Sequence, residues 1–151
     1  MLTFKPATHE DMDTIHYLEQ KAFGIDAYDM EMIIDSFLES GDMTIIAYLD
    51  DRPAGYAMAI GISEKSADIE SICVSPEFQG KGIGKALLHV IEDAMRNHGF
   101  TESILEVRVF NESALSMYRK EGYTITHRLE NFYQGEMRGS RDAFRMKKTL
   151  Q

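Results

Sequence analysis

Between positions 75 and 85 the chain reads Ser-Pro-Glu-Phe-Gln-Gly-Lys-Gly-Ile-Gly-Lys. This turn lies between a strand-like run ending at Val74 and the clearest helical pattern in the sequence. Glycine at positions 80, 82 and 84 lets successive backbone N–H groups converge with no side chain in the way. A helix opening there aims the positive end of its dipole at the same spot. Such a corner is an anion site, and a diphosphate is its usual tenant. Lys81 and Lys85 add local positive charge to a chain whose formal net charge is -9. The P-loop pattern GxxxxGK[ST] does not match. The dinucleotide pattern GxGxxG fails because Lys85 stands where its third glycine belongs. The alternative is that the glycines only shape a tight turn.

Hydrophobic periodicity places the other elements. Leu2 to Lys5 reads as a short strand, and Thr8 or His9 precedes a helix beginning near Glu10. Met12, Ile15, Leu18, Ala22 and Phe23 fall on one face of that helix, which breaks at positions 24–29. Met30, Ile33, Ile34, Phe37 and Leu38 make a second helix closed by Ser40-Gly41. Met43 to Leu49 and Ala54 to Ile62 read as hairpin arms around a turn at positions 50–53. Ala67 to Val74 is a further strand. After the glycine turn, Ile83, Leu87, Leu88, Ile91, Ala94 and Met95 recur at helical spacing, with Gly99 past the helix end. Ile104 to Val109 is a strand, Ser113 to Lys120 a short helix and Tyr123 to Arg128 a strand. A polar loop spans about 130–141, and Ala143 to Lys147 closes the sheet. The order β-α-α-β-β-β-α-β-α-β-β predicts an α/β (α+β) fold, a mixed sheet covered by helices.

With 151 residues, no repeat and no linker-like stretch, one domain over 1–151 is expected. An excess of 25 Asp+Glu over 16 Lys+Arg argues against a nucleic-acid partner and favours a cationic or amine-bearing one. No run of 18 or more apolar residues exists, so no membrane partner is expected. The start, Met-Leu-Thr-Phe-Lys-Pro, lacks a signal pattern, and the single cysteine, Cys73, gives an oxidising compartment no support. A cytoplasmic location is the expectation. His9, His16, His89, His98 and His127 are scattered, so neither a metal site nor a Ser-His-Asp triad is expected. Inside a strand with no cationic neighbour, Cys73 reads as a small core residue rather than a nucleophile.

The run from Ile69 to Leu88, Ile-Glu-Ser-Ile-Cys-Val-Ser-Pro-Glu-Phe-Gln-Gly-Lys-Gly-Ile-Gly-Lys-Ala-Leu-Leu, resembles the signature of the GNAT superfamily of acetyl-CoA-dependent N-acetyltransferases. The block Leu105 to Tyr123, then Asn131-Phe-Tyr133 and Asp142-Ala-Phe-Arg-Met146, resembles the ribosomal-protein-alanine N-acetyltransferase type. The resemblance implies a mixed, mostly antiparallel sheet with helices on both faces, and acetyl-CoA as co-substrate without a metal. It implies that backbone groups of Ile72, Cys73 and Val74 bond the pantetheine arm. The segment Gln79, Gly80, Lys81, Gly82, Ile83, Gly84 and Lys85 would hold the pyrophosphate, and Asn111 would bond the pantetheine. Tyr118 would face the sulfur as general acid, and Glu106 would occupy the general-base position. Tyr28 and Tyr133 would contact the acceptor, from loops that depart from the family pattern. The first loop lacks the usual Pro-Trp pair, and the second is longer than usual.

Acetyl transfer to an amine needs a held thioester, a neutral amine and a proton for the departing thiolate. Deprotonating an α-amine at neutral pH costs about 1 kcal/mol, against roughly 4–5 kcal/mol for lysine. A strand carboxylate suffices for the first. Glu106 and Glu70 are the two candidates, and simple alternation puts Glu70 on the face of Ile72, opposite Cys73. Tyr118 lies two helical turns after Asn111, so both can face one side. The leading expectation is acetylation of a protein or peptide N-terminal α-amine by direct attack in a ternary complex. A small-molecule amine acetyltransferase (polyamine, amino sugar or amino acid) is the alternative. A non-catalytic acetyl-CoA-binding module is the rival from another class. Monomer and homodimer both stay open.

Overall fold

A computed structural model describes residues 1–151. Seven strands form one sheet in the order β1-β2-β3-β4-β5-β7-β6. In chain order the elements are β1 (Leu2–Pro6), α1 (Met12–Phe23), α2 (Met30–Ser40), β2 (Thr44–Leu49), β3 (Arg52–Gly61) and β4 (Ser66–Val74). They continue with α3 (Ile83–Asn97), β5 (Glu102–Arg108), α4 (Glu112–Lys120), β6 (Thr124–Leu129) and β7 (Ala143–Thr149). The expected order holds throughout. Only β4 and β5 run parallel; every other pair is antiparallel.

Two differences at helix ends have local causes. The first helix begins later than Glu10, because Thr8 caps a 3-10 turn over His9–Asp11 in which the Asp11 carboxylate takes the Thr8 N–H at 2.7 Å. Phe23 was expected on the buried face of α1 but is 42% exposed. It is the last residue of α1, and Gly24 at φ 56° turns the chain away there.

The sheet is covered on both faces. On one face α3 and α4 bury Leu87, Leu88, Ile91, Leu115 and Tyr118 against Ala57, Ile69, Leu105 and Met146. On the other, Ile15 and Leu18 of α1 and Ile33 of α2 pack on Ile46, Tyr56, Met58 and Cys73. Each face takes alternate strand residues, as a two-sided sheet requires.

Two irregularities in the middle of the sheet make room for a site. The parallel pairing of β4 with β5 runs only from Ser66↔Glu102 to Ile69↔Leu105. Both strands continue past that point unpaired with each other, so a gap opens between them. The register of β3 on β4 also shifts between Met58 and Ala59, leaving Glu70 without a partner between Ser71 and Ile69. Such a bulge breaks strict alternation. Ile69 and Ile72 consequently pack on the α3 face, while Cys73 stays on the α1 face.

Candidate active site

The floor of the gap is backbone. Ser75 N–H donates to the Ala54 carbonyl at 2.8 Å, so residues 75 and 73 turn their polar groups toward β3. Ile72 and Val74 therefore turn theirs toward the gap, where β5 has diverged. The Val74 carbonyl accepts from the Gln79 side-chain amide at 3.1 Å, and the Glu70 carbonyl accepts from the Tyr28 hydroxyl at 3.1 Å. The N–H of Val74 and both groups of Ile72 remain for another strand-like partner. Of the three backbone positions expected to bond a pantetheine, Ile72 and Val74 are presented and Cys73 is held by β3.

Beyond Val74 the chain enters the glycine turn. Gly80 and Gly82 have φ near +80°, which L side chains avoid, while Gly84 is already helical. No protein acceptor bonds the N–H groups of Gly80 through Lys85, and Gly82 caps α3 without a side-chain bond. They converge in front of a helix of 15 residues. A Cβ on Gly84 would make only ordinary contacts, with Val74 Cγ2 at 3.8 Å and Met117 Sδ at 3.9 Å. Lys81 is exposed, whereas Lys85 lies 3.7 Å from the Glu121 carboxylate. The Gln79 side chain folds back on Val74 across the turn.

Tyr118 enters the gap from α4. Its ring is part of the core and only 6% of the residue is exposed. Its hydroxyl has no protein partner and is not among the sealed polar atoms, so it keeps access to the gap. Burial pushes the phenol well above its ordinary pKa, and nearby Tyr133 adds to the effect. Asn111 caps α4 by accepting the Ala114 N–H at 3.2 Å, which leaves its amide NH₂ free.

On the α1/α2 face the gap opens into a cleft of about 420 Å³ lined by carboxylates of Glu39, Asp68, Glu70 and Glu106. Alternation predicted Glu70 beside Ile72. The bulge overturns this, and Glu70 lies with Asp68 on the opposite face. Glu106 accepts from Arg145 Nε at 3.0 Å. Asp68 is 8% exposed and its Oδ1 has no hydrogen-bond partner. Burial raises its pKa to about 9, helped by hydrogen bonding to and repulsion from Glu106 and by Glu70. Burial also raises Glu70, with Glu106 and Glu39 repelling its charge and the Asp68 hydrogen bond opposing the rise. Asp68 was not anticipated. Its signal was the pair Asp68-Ile69-Glu70, two acids at period two inside an apolar strand.

Two loops roof this end. Arg108 of β5 donates to Asp26 Oδ2 at 2.7 Å in the first loop and to the Gly135 carbonyl at 2.8 Å in the second. Its guanidinium stacks 4.1 Å from the Tyr133 ring centroid. The two loops are in such close contact that a Cβ on Gly135 would lie 2.7 Å from Asp26 Oδ1. Tyr133 is half-buried, and burial lifts its hydroxyl to about 12 against the opposing Arg108 charge. Tyr28 is held from below by Glu19, a buried carboxylate that accepts the Tyr28 N–H at 3.1 Å, Ser71 Oγ at 2.6 Å and the Tyr56 hydroxyl. Tyr28, Tyr118 and Tyr133 thus converge with Glu70 and Glu106 around the gap. Cys73 is buried against Leu18 and its thiol is pushed up by desolvation, so it stays protonated. No group of histidine, cysteine and acidic side chains has metal-binding geometry, and no helix is long and apolar enough to cross a membrane.

A family model described as the acetyltransferase (GNAT) family matches residues 9–123. The [ribosomal protein bS18]-alanine N-acetyltransferase of Salmonella typhimurium is 32% identical over 84 residues, which is 56% of this chain and 56% of that protein. The match thus spans little more than half the length of that relative. N-alpha-acetyltransferase 30 of Schizosaccharomyces pombe is 27% identical over 149 residues, 96% of each chain. Among solved structures, Ard1 from Thermoplasma volcanium superposes with a TM-score of 0.90 at 23% identity, over 99% of this chain and 98% of that one.

Proposed function

Since this chain belongs to the acetyltransferase (GNAT) family, we propose that it moves the acetyl group of acetyl-CoA to the N-terminal α-amine of a protein or peptide. The observation that carries the reading is the gap itself. It joins a backbone-made anion cradle to a carboxylate-lined cleft, with a phenol hydroxyl between them.

The residues fit acetyl-CoA. The unbonded N–H groups of Gly80 through Lys85 are shaped for a diphosphate, with Lys81 adding charge. The free groups of Ile72 and Val74, and the Asn111 amide, suit an extended pantetheine amide chain. When bound, the co-substrate supplies an acetyl thioester. Everything else falls to the side chains. The carboxylates of Glu39, Glu70 and Glu106 draw in a cationic acceptor, and Arg108 holds Tyr133 and both loops over it. The α-amine gives up its proton at a cost of about 1 kcal/mol near neutral pH. The Asp68, Glu70 and Glu106 set is suited to receive it. Asp68 already carries a proton and donates within the set. Glu70, raised by burial, is a stronger base than a solvated carboxylate. Attack then expels a thiolate, to which Tyr118 donates. Desolvation raises the phenol, but it raises a thiol formed beside it in the same way, so the two stay matched. Attack is direct, since the only cysteine is sealed in the core. Under this reading the protein works in the cytoplasm, as a monomer or homodimer.

The test is thiol release from acetyl-CoA with peptides that begin with Ala, Ser or Met. Turnover is expected with a free α-amine and is expected to vanish when that amine is acetylated beforehand, even with an internal lysine present. Turnover that survives the block would overturn the α-amine reading.

A further inference from the structure

We infer that Glu19, buried beneath the site in α1, is a positioning residue: it holds the bulge of β4 in the one arrangement that sends Glu70 into the cleft. The inference rests on the acetyl-transfer reading, in which Glu70 helps to receive the amine proton.

Packing demands the bulge but does not settle it. Ile69 and Ile72 both pack on the α3 side although they are an odd number of residues apart, so strict alternation must break between them. Glu70 and Ser71 consequently share the α1/α2 side. Apolar burial does not choose which of the two turns inward and which reaches the cleft, and no glycine or proline in the segment chooses either. In the structure Ser71 is the inward one, 8% exposed and paired with Met58, while Glu70 has no partner on β3 and lines the cleft.

Glu19 makes that choice. It is 1% exposed. Its Oε1 accepts from Ser71 Oγ at 2.6 Å and from the Tyr56 hydroxyl of β3. Tyr56 stands opposite Cys73 and Ser71 opposite Met58, so one oxygen joins both strands just past the bulge. A slip of one residue would part the two donors. Its Oε2 accepts the Tyr28 N–H at 3.1 Å, and the Tyr28 hydroxyl donates to the Glu70 carbonyl at 3.1 Å. The bulge is thus tied to Glu19 directly at Ser71 and through Tyr28 at Glu70. Glu19 does not itself line the cleft, so its effect on the reaction passes through the residues it holds.

The experiment measures thiol release with an Ala-initial peptide in Glu19→Met, Glu19→Gln and Ser71→Ala, each alone and on a Glu70→Gln background. Glu19→Met keeps the side-chain length and removes every bond. It should lower kcat about tenfold to a hundredfold, the scale of a catalytic group misplaced from a distance, while KM for acetyl-CoA stays within about twofold. The Glu19→Gln amide can hold the same set, its oxygen taking the Tyr28 N–H and its NH₂ donating to the two hydroxyls, which turn to accept. It should recover kcat to within about threefold of wild type. Ser71→Ala cuts only the tie to β4, should lower kcat in the same direction by less, and stands in if Glu19→Met does not fold. On Glu70→Gln, neither Glu19→Met nor Ser71→Ala should cost much more, as expected of residues that act through one group. Crystal structures of the folded variants should show the Glu70 side chain displaced from Asp68 and Glu106. Glu70 unmoved in them, or the same fold-loss on both backgrounds, overturns the inference and leaves acetyl transfer standing. A Glu70→Gln enzyme as fast as wild type overturns the role of Glu70 and the inference with it. Wild type that turns over no amine overturns both readings.

Discussion

On the α3 side of the gap between β4 and β5 the site is made of backbone; on the α1/α2 side it is made of side chains. The first side uses the N–H groups of Gly80 through Lys85 and the free strand groups of Ile72 and Val74. The second uses Glu39, Asp68, Glu70 and Glu106, drawn from α2, β4 and β5, under a roof held by Arg108. A backbone cradle depends on glycine spacing and a helix start, which are local. A side-chain cleft depends on register, a bulge and two loops that meet in space. The two sides also differ in sign. The cradle attracts anions, and the cleft attracts cations.

The largest effect should come from breaking the cradle alone. Gly84→Asp puts an acid in the first turn of α3, which by itself suits a helix by about 0.3–1 kcal/mol. Its Cβ meets only Val74 and Met117, at ordinary distances. Calorimetry should show acetyl-CoA affinity down by at least about a hundredfold from like-charge repulsion, with the melting temperature held or raised. Unchanged affinity would mean that the diphosphate sits elsewhere.

A smaller effect is expected where the two sides meet. Tyr118→Phe removes one proton donor and almost no volume from a buried ring. It should lower kcat by about a hundredfold with little change in KM for acetyl-CoA, the pattern of a bond that matters as the thiolate develops. An equal rise in KM would make Tyr118 a packing residue.

The smallest effect probes the cleft through stability. Asp68 has a folded pKa of about 9, far above the roughly 3.9 of an unfolded aspartate. Between those values the folded state holds a proton that the unfolded state has released, so stability declines as pH rises through the window. Asn titrates nowhere. Asp68→Asn should melt a few degrees higher than wild type at pH 8, and the difference should close near pH 4. A difference constant with pH would show that Asp68 is not raised by its surroundings.

How far each side could be read from the sequence follows from the same division. The element order, the sheet class and the glycine turn were legible, because periodicity and punctuation are local signals. The family likeness singled out Ile72, Cys73 and Val74 together, and only the ladder shows that Cys73 turns its backbone to β3 while its two neighbours face the gap. The cleft was half legible. Glu70 and Glu106 stood out as strand acids, but no glycine or proline marks the bulge opposite Met58, so alternation set Glu70 on the wrong face. Asp68 passed unremarked, since only parallel pairing with β5 brings it beside Glu106. The partnership of Asp26, Arg108 and Gly135 joins residues far apart in sequence, and nothing local announces it.

The central claim is that one gap, between β4 and β5, receives the co-substrate from its backbone side and the amine from its acidic side. A crystal structure of the protein with CoA tests it most directly. The account predicts the diphosphate on the N–H groups of Gly80 through Lys85, the pantetheine along Ile72 and Val74, and the sulfur facing the Tyr118 hydroxyl. CoA bound outside that gap, or with its thiol end away from Tyr118 and the carboxylates, would contradict it.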